Sequence, residues 1–218
     1  MTEPSKPIAL EARAQAADRL FSPSAARNRA PILEVLRDVL PASGKVLEIA
    51  AGTGEHVTFF AKHLQDLQWI PSDLDDASRR SIAAWSSENK LTNVAPPLAI
   101  DARAPVWGVE SQAPFDAILN LNMIHIAPWT AAHGLFAGAG RLLKPAGVLF
   151  LYGPFQEGGV HTAPSNAEFE RSLKSRDPNW GVRDIDDLNA LAASNGLKLT
   201  RRFDMPANNQ SLVFEKVS

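Results

Sequence analysis

Between Val46 and His56 the chain writes an apolar strand, a tight glycine turn and a helix start in succession, and this stretch constrains everything around it. Val46, Leu47 and Ile49 form the apolar, partly β-branched run of a buried parallel strand. Gly52 and Gly54 lack a Cβ, so the backbone can turn sharply and approach a ligand closely. The helix beyond points unpaired N–H groups at whatever sits above the turn. Such a cradle stands at the carboxyl end of a strand, where open α/β sheets bind small molecules. A Gly-x-Gly turn also occurs as a plain chain reversal, so the order of the other elements decides its meaning.

That order is regular. Asn28 is expected to cap a helix with Pro31 in its first turn and Ile32, Leu33, Leu36 and Val39 on its apolar face. Strands are expected at Lys45–Ala50, Gln68–Ser72, Pro97–Ile100, Phe115–Leu121 and Val148–Tyr152. Helices fall between them, one after the glycine turn, one from an Asp76 cap through Ala77 to Glu88, and one over Trp129–Leu143. Alternation of this kind gives a parallel sheet with right-handed crossovers and helices on both faces. Residues 153–181 form a polar, glycine-containing segment with capping-box spacing at Ser165–Glu168, and are expected to act as a lid. A helix from Asp184 to Gly196 follows, then strands at Lys198–Met205 and Ser211–Lys216. The short link Pro206–Gln210 permits an antiparallel pair and forbids a helical crossover. Ala9–Leu20 reads as a helical arm, and residues 1–24 as a partly disordered extension of a single domain over 25–218.

Composition narrows the function classes. The chain has 218 residues, 45% hydrophobic and 21% charged, with a net charge of -2 and no run of Lys or Arg that would suit a phosphate backbone or a membrane surface. The absence of cysteine excludes disulfides, zinc–thiolate sites and thiol nucleophiles, and the five histidines show no metal-ligand spacing. No apolar run is long enough to span a bilayer, and Met1–Leu20 lacks the apolar centre of a signal peptide, so a cytoplasmic location is expected.

A parallel sheet that ends in an antiparallel strand resembles the Rossmann-like fold of class I S-adenosylmethionine-dependent methyltransferases, with seven strands, the last antiparallel. Glu48-Ile49-Ala50-Ala51-Gly52-Thr53-Gly54 resembles the first motif of that superfamily, Phe115-Asp116-Ala117-Ile118-Leu119-Asn120 the fourth, and Leu142-Leu143-Lys144-Pro145-Ala146-Gly147 the turn before the fifth strand. Ser22-Pro23-Ser24-Ala25-Ala26-Arg27-Asn28, Asn122-Met123-Ile124-His125, Tyr152-Gly153-Pro154-Phe155, Asp177-Pro178-Asn179-Trp180-Gly181 and Met205-Pro206-Ala207-Asn208-Asn209 resemble, more narrowly, the family called domain of unknown function 938, or methyltransferase-like 26.

The resemblance implies S-adenosyl-L-methionine as cofactor, S-adenosyl-L-homocysteine as product, and a small-molecule acceptor, with the chain a monomer or homodimer. It implies cofactor contacts from Glu48, Ala50, Gly52, Thr53, Gly54 and His56 at the glycine turn. Asp73 and Leu74 end the second strand, the acid toward the ribose hydroxyls. Asp101 and Ala102 end the third, the acid toward the adenine amino group. Asn120 lies on the fourth strand, and Arg27 and Asn28 belong to a helix over the cofactor. Two adjacent hydroxyls donate well to one carboxylate. Each acid taken alone is also compatible with a turn or a cap. Glu48 is expected to accept backbone N–H bonds and shape the turn.

A sulfonium already activates its methyl group, so the protein mainly positions a nucleophile in line, and a base is needed only for a protonated acceptor. His125, His161 and Tyr152 are the catalytic candidates: His125 just after the fourth strand, His161 in the lid, and Tyr152 at the end of the fifth. Each has a purely structural alternative as a packed or solvated side chain. A nicotinamide-dependent oxidoreductase fits less well, because Val57 stands where a third glycine is wanted and Gln156 where a Tyr-x-x-x-Lys pair needs lysine. A cofactor-binding protein without catalysis is the third reading.

Overall fold

The computed structural model describes residues 13–217. An antiparallel hairpin, β1 (Ala14–Ala16) and β2 (Arg19–Phe21), opens it, in place of the expected helical arm. The part of that expectation on residues 9–12 lies outside the described residues. Tertiary contacts decide against the helix. The Leu20 N–H donates to Ser81 Oγ at 2.8 Å, Trp85 Nε1 donates to the Leu20 carbonyl at 3.0 Å, and Phe21 packs edge-on against Trp85. A mostly alanine helix face has nothing of comparable size to bury.

Helix α1 (Pro23–Val39) is capped by Ser22, six residues before the expected cap Asn28. Ser22 Oγ accepts from the Ala25 N–H and Pro23 takes the first helical position, so Asn28 and Pro31 lie inside the helix. Strand β3 (Gly44–Ile49), helix α2 (Glu55–His63), strand β4 (Leu67–Pro71) and helix α3 (Asp76–Glu88) follow. The cap of α3 is Asp75 rather than Asp76, its Oδ2 accepting from the Ser78 N–H at 2.8 Å. The expected strand at Pro97–Ile100 does not form. Only isolated parallel bridges join Trp69 to Val94 and Ser72 to Leu98. Pro96 and Pro97 carry no N–H for a ladder, so the edge is interrupted.

The chain continues through β5 (Phe115–Leu121), α4 (Trp129–Leu142) and β6 (Leu143–Gly153). A small sheet of β7 (Phe155–Glu157), β8 (Val160–His161) and β9 (Arg183–Asp184) brackets α5 (Pro164–Arg176). Ala163 and Pro164 start α5, not a Ser165 capping box; Ser165 Oγ instead accepts from Asn208 Nδ2 at 2.9 Å. Helix α6 (Ile185–Ala193) leads to β10 (Leu197–Met205) and β11 (Asn209–Lys216). The main sheet has six strands in the order β10-β11-β6-β5-β3-β4 rather than seven. Strands β4, β3, β5 and β6 run parallel, and β11 pairs antiparallel with both β6 and β10.

Alternation along the strands builds two cores. Leu47, Ile49, Ile118, Leu149 and Leu151 face one side, with Phe136 of α4 and Leu188 of α6. Val46, Ala117, Leu119 and Phe150 face the other, with Leu36 of α1, Phe60 of α2 and Ile82 of α3. Burying both faces is what a parallel sheet requires. The order reverses between β3 and β5, and ligands of open α/β sheets sit at the carboxyl ends of strands at such a switch point.

Candidate ligand-binding site

At that switch point lies a cavity of about 1760 Å³. The loop after β3 shapes its floor. Ala50, Gly52 and Gly54 have φ of 58°, 60° and 87°, a left-handed series that winds the backbone tightly into α2. The Gly52 N–H donates to Asp73 Oδ2 at 2.8 Å and the Asp75 N–H donates to Asp73 Oδ1 at 2.9 Å. Asp73 thus ties the glycine turn to the loop after β4. Burial raises its pKa, against the lowering effect of those N–H donors.

Glu48, Ala50, Gly52, Thr53 and His56 line the cavity with Asp73 and Leu74, and with Asp101 and Ala102 across it. Gly54 is not in the lining. A Cβ there would lie 2.8 Å from Ile82 Cα, so its smallness lets α3 approach the turn. Asn120 also lies behind the wall, its Nδ2 donating to the Ile49 carbonyl at 2.9 Å. Glu48 departs from its expected role. Among the described residues it accepts no backbone N–H bond, and its buried Oε2 has no partner. Burial, and behind it the charge of Asp73, pushes its pKa up to about 8.

Asp101 meets the Arg103 guanidinium through both oxygens, with Nε at 2.9 and 3.1 Å and Nη2 at 2.7 Å, and this pairing holds its pKa down. His56 Nε2 lies 2.7 Å from Asn28 Oδ1, and its ring stacks on Phe60. Burial, then Arg29, pushes its pKa down to about 4, so the ring is neutral and Nε2–H is the donor. Arg27 and Asn28 line the cavity from α1, and Tyr152 from the end of β6.

The two histidine candidates lie elsewhere. His125 is fully buried behind the wall, edge-on to Phe155 at 5.1 Å, and neither ring nitrogen has a hydrogen-bond partner among the described residues. A Cβ on Gly153 would lie 2.3 Å from its Nε2, so the ring fills the space that glycine leaves. Burial, then the Arg183 guanidinium, pushes its pKa down to about 3. His161 Nε2 meets Glu170 at 2.7 Å, and Gln156 at 3.2 Å, joining β8 to α5. Neither histidine lines the cavity, where both were expected as catalytic residues: His125 is packed against Phe155 and His161 is held by Glu170, and of the three candidates only Tyr152 borders the cavity. Sequence spacing gave no signal for Arg13, Ser78, Phe169 or Arg176, which reach the cavity from the hairpin, α3 and α5. Only the fold brings these segments to one rim.

Solved methyltransferases share this architecture. An O-methyltransferase family protein from Burkholderia thailandensis superposes with a TM-score of 0.73 at 15% identity over 87% of this chain and 56% of its own. The S-adenosylhomocysteine-bound form of CalO1, a methyltransferase of calicheamicin biosynthesis, gives 0.69 at 16% identity over 88% and 53%. A candidate sarcosine dimethylglycine methyltransferase from Galdieria sulphuraria gives 0.67 at 15% identity over 92% of both chains. The chain spans a little over half the length of the first two, and the likeness defines a methyltransferase fold and nothing finer. The profile of the family described as protein of unknown function DUF938 matches residues 19–216, and the chain belongs to that family.

Proposed function

We propose that the cavity binds S-adenosylmethionine and that the chain transfers its methyl group to a small-molecule acceptor, as the resemblance to methyltransferase-like 26 implies. When bound, the cofactor supplies a sulfonium-activated methyl group. Glu48 carries the reading: it lines the cavity, and its buried Oε2 has no partner among the described residues, which is costly unless a donor arrives there. The cofactor's ammonium is such a donor.

The other lining residues fit the same group. Asp73 spends one lone pair of each oxygen on a backbone N–H, leaving a second pair on each for ribose hydroxyls. Asp101, oriented by Arg103, offers an acceptor for an amino group. Leu74 is 53% exposed beside them and gives an adenine ring an apolar face to cover. Positioning rather than proton transfer is the protein's main contribution, since neither His125 nor His161 lines the cavity.

Calorimetry tests the reading. Saturable binding of both S-adenosylmethionine and S-adenosylhomocysteine by the folded chain is expected, and its absence sinks the proposal. No described helix is long and apolar enough to cross a membrane. We place the chain in the cytoplasm as a monomer or homodimer, which fractionation and light scattering check.

A further inference from the structure

The N-terminal hairpin brings a cation to the glycine turn. Arg13, just before β1, lines the cavity together with Leu20 of β2. Its Nη1 donates to Ser78 Oγ at 3.4 Å, and its Nη2 lies 3.6 Å from where a Cβ on Gly52 would stand. The guanidinium therefore spans the gap between the glycine turn and the first turn of α3. Gly52 and Ser78 are also the residues whose N–H groups donate to Asp73 Oδ2 and Asp75 Oδ2. A hydroxyl that donates to Asp73 keeps its own lone pairs for a neighbouring N–H donor, and a guanidinium has five such donors.

The segment that carries Arg13 is lightly held. No residue from Arg13 to Ser24 is buried, and two strands of three residues do not make a hairpin that stands alone in water. Its seating comes from α3, through the Leu20 bonds to Ser81 and Trp85 and through Arg19, which meets Glu88 at 2.7 Å and lies 4.8 Å from the centre of the Trp85 ring. Elements with so little apolar burial open locally at low cost. Two bridges tie this seating to the glycine turn. The fully buried Ser81 Oγ accepts from the Leu20 N–H and donates to the Thr53 carbonyl at 2.6 Å. Glu55 Oε2 accepts from the Ser22 N–H at 2.5 Å and from the Thr53 hydroxyl at 3.1 Å. Thr53 lines the cavity between Gly52 and Gly54, so the same side chains set the place of the hairpin and the shape of the turn.

We propose that the hairpin is a strap across the cofactor site: it lifts from α3 to admit the cofactor, and the bound cofactor holds it down through Arg13, whose guanidinium donates to the ribose hydroxyls seated on Asp73. The inference rests on the cofactor reading above. The coupling is reciprocal, so whatever the cofactor adds to the seating of the strap, a seated strap adds to the residence of the cofactor.

In the full chain, trypsin cleavage after Arg19 and hydrogen exchange of the Leu20 amide are followed with and without saturating S-adenosylhomocysteine. Both slow by about fivefold or more on binding, and by more than the amides of β10, at the edge of the sheet away from β4. Trp85→Phe and Glu88→Gln loosen the strap from outside the cavity, speeding cleavage of the unliganded chain and the release of S-adenosylhomocysteine together, each severalfold. Arg13→Gln leaves cleavage of the unliganded chain as in wild type, weakens S-adenosylhomocysteine by about tenfold, and removes the slowing of cleavage. Three results overturn the strap and leave the cofactor reading: cleavage and exchange indifferent to bound S-adenosylhomocysteine, Arg13→Gln binding it as wild type does, or a strap loosened by Trp85→Phe or Glu88→Gln without faster release. Failure of the wild-type chain to bind S-adenosylhomocysteine overturns both.

Discussion

Glu48 is held protonated at neutral pH by its surroundings, and this makes its role measurable. The unfolded carboxyl ionises near 4.5 and the folded one near 8. Between those values the folded state binds more protons, so the contribution to stability is complete below the lower pKa and is lost as pH rises through the upper. Glu48→Gln should remove that decline, seen as a wild-type Tm that drops relative to the variant as pH is raised. An ammonium docking on Glu48 favours its ionised form, so cofactor binding near neutrality should release protons, measured by calorimetry in buffers of different ionisation enthalpy. The variant should release none and bind about tenfold more weakly, the loss of one charge-assisted bond.

The buried histidines act in the opposite direction. His56 and His125 titrate near 4 and 3 when folded, against 6.5 when free. Their contributions are present above the free value and are lost as pH falls through the folded ones. His125→Leu, which removes two ring nitrogens without a hydrogen-bond partner among the described residues, should lessen the acid-side loss in a Tm series and leave the affinity for S-adenosylhomocysteine unchanged, because the ring lies outside the cavity. Spacing put His125 at the rim; which side of the wall its ring occupies depends on Gly153, twenty-eight residues further along.

At the scale of elements, glycines set how closely helices approach the site. Gly54 combines a φ of 87° with a Cβ position 2.8 Å from the Ile82 backbone. Gly54→Ala should cost about 2–4 kcal/mol in denaturant unfolding, from left-handed strain and from forcing α3 outward. Gly134 of α4 lies under the loop after Asp101, where a Cβ would come within 1.9 Å of the Ala102 carbonyl oxygen. Gly134→Ala should shift that loop and lower affinity for S-adenosylhomocysteine severalfold while circular dichroism stays that of wild type. The elements with dense apolar runs, β3, β5 and β6, are legible in the sequence because both faces of each strand are buried. The hairpin is not, since contacts with Ser81 and Trp85, some sixty residues away, stabilise it. Nor is the break after β4, where adjacent prolines outweigh an apolar pattern.

Across the whole molecule, three segments distant in the chain meet over one end of the sheet. Hydrogen exchange with and without S-adenosylhomocysteine should show protection gained together at residues 48–54, 73–75 and 101–103. The slowest amides of the unliganded chain should lie in β3, β5 and β6, and the β7–β9 sheet should exchange sooner. Protection at one segment alone would count against a shared site. By itself the sequence determined the alternating α/β order, the glycine turn and the acids at strand ends. Those depend on local periodicity, on the lack of a Cβ and on which residue follows a strand. Only the tertiary structure decided that Glu48 buries an oxygen unpaired among the described residues, that Tyr152 borders the cavity while His125 and His161 do not, and that Arg27 shares it. Burial and side-chain direction depend on which segments pack together, and spacing along a chain does not carry that information.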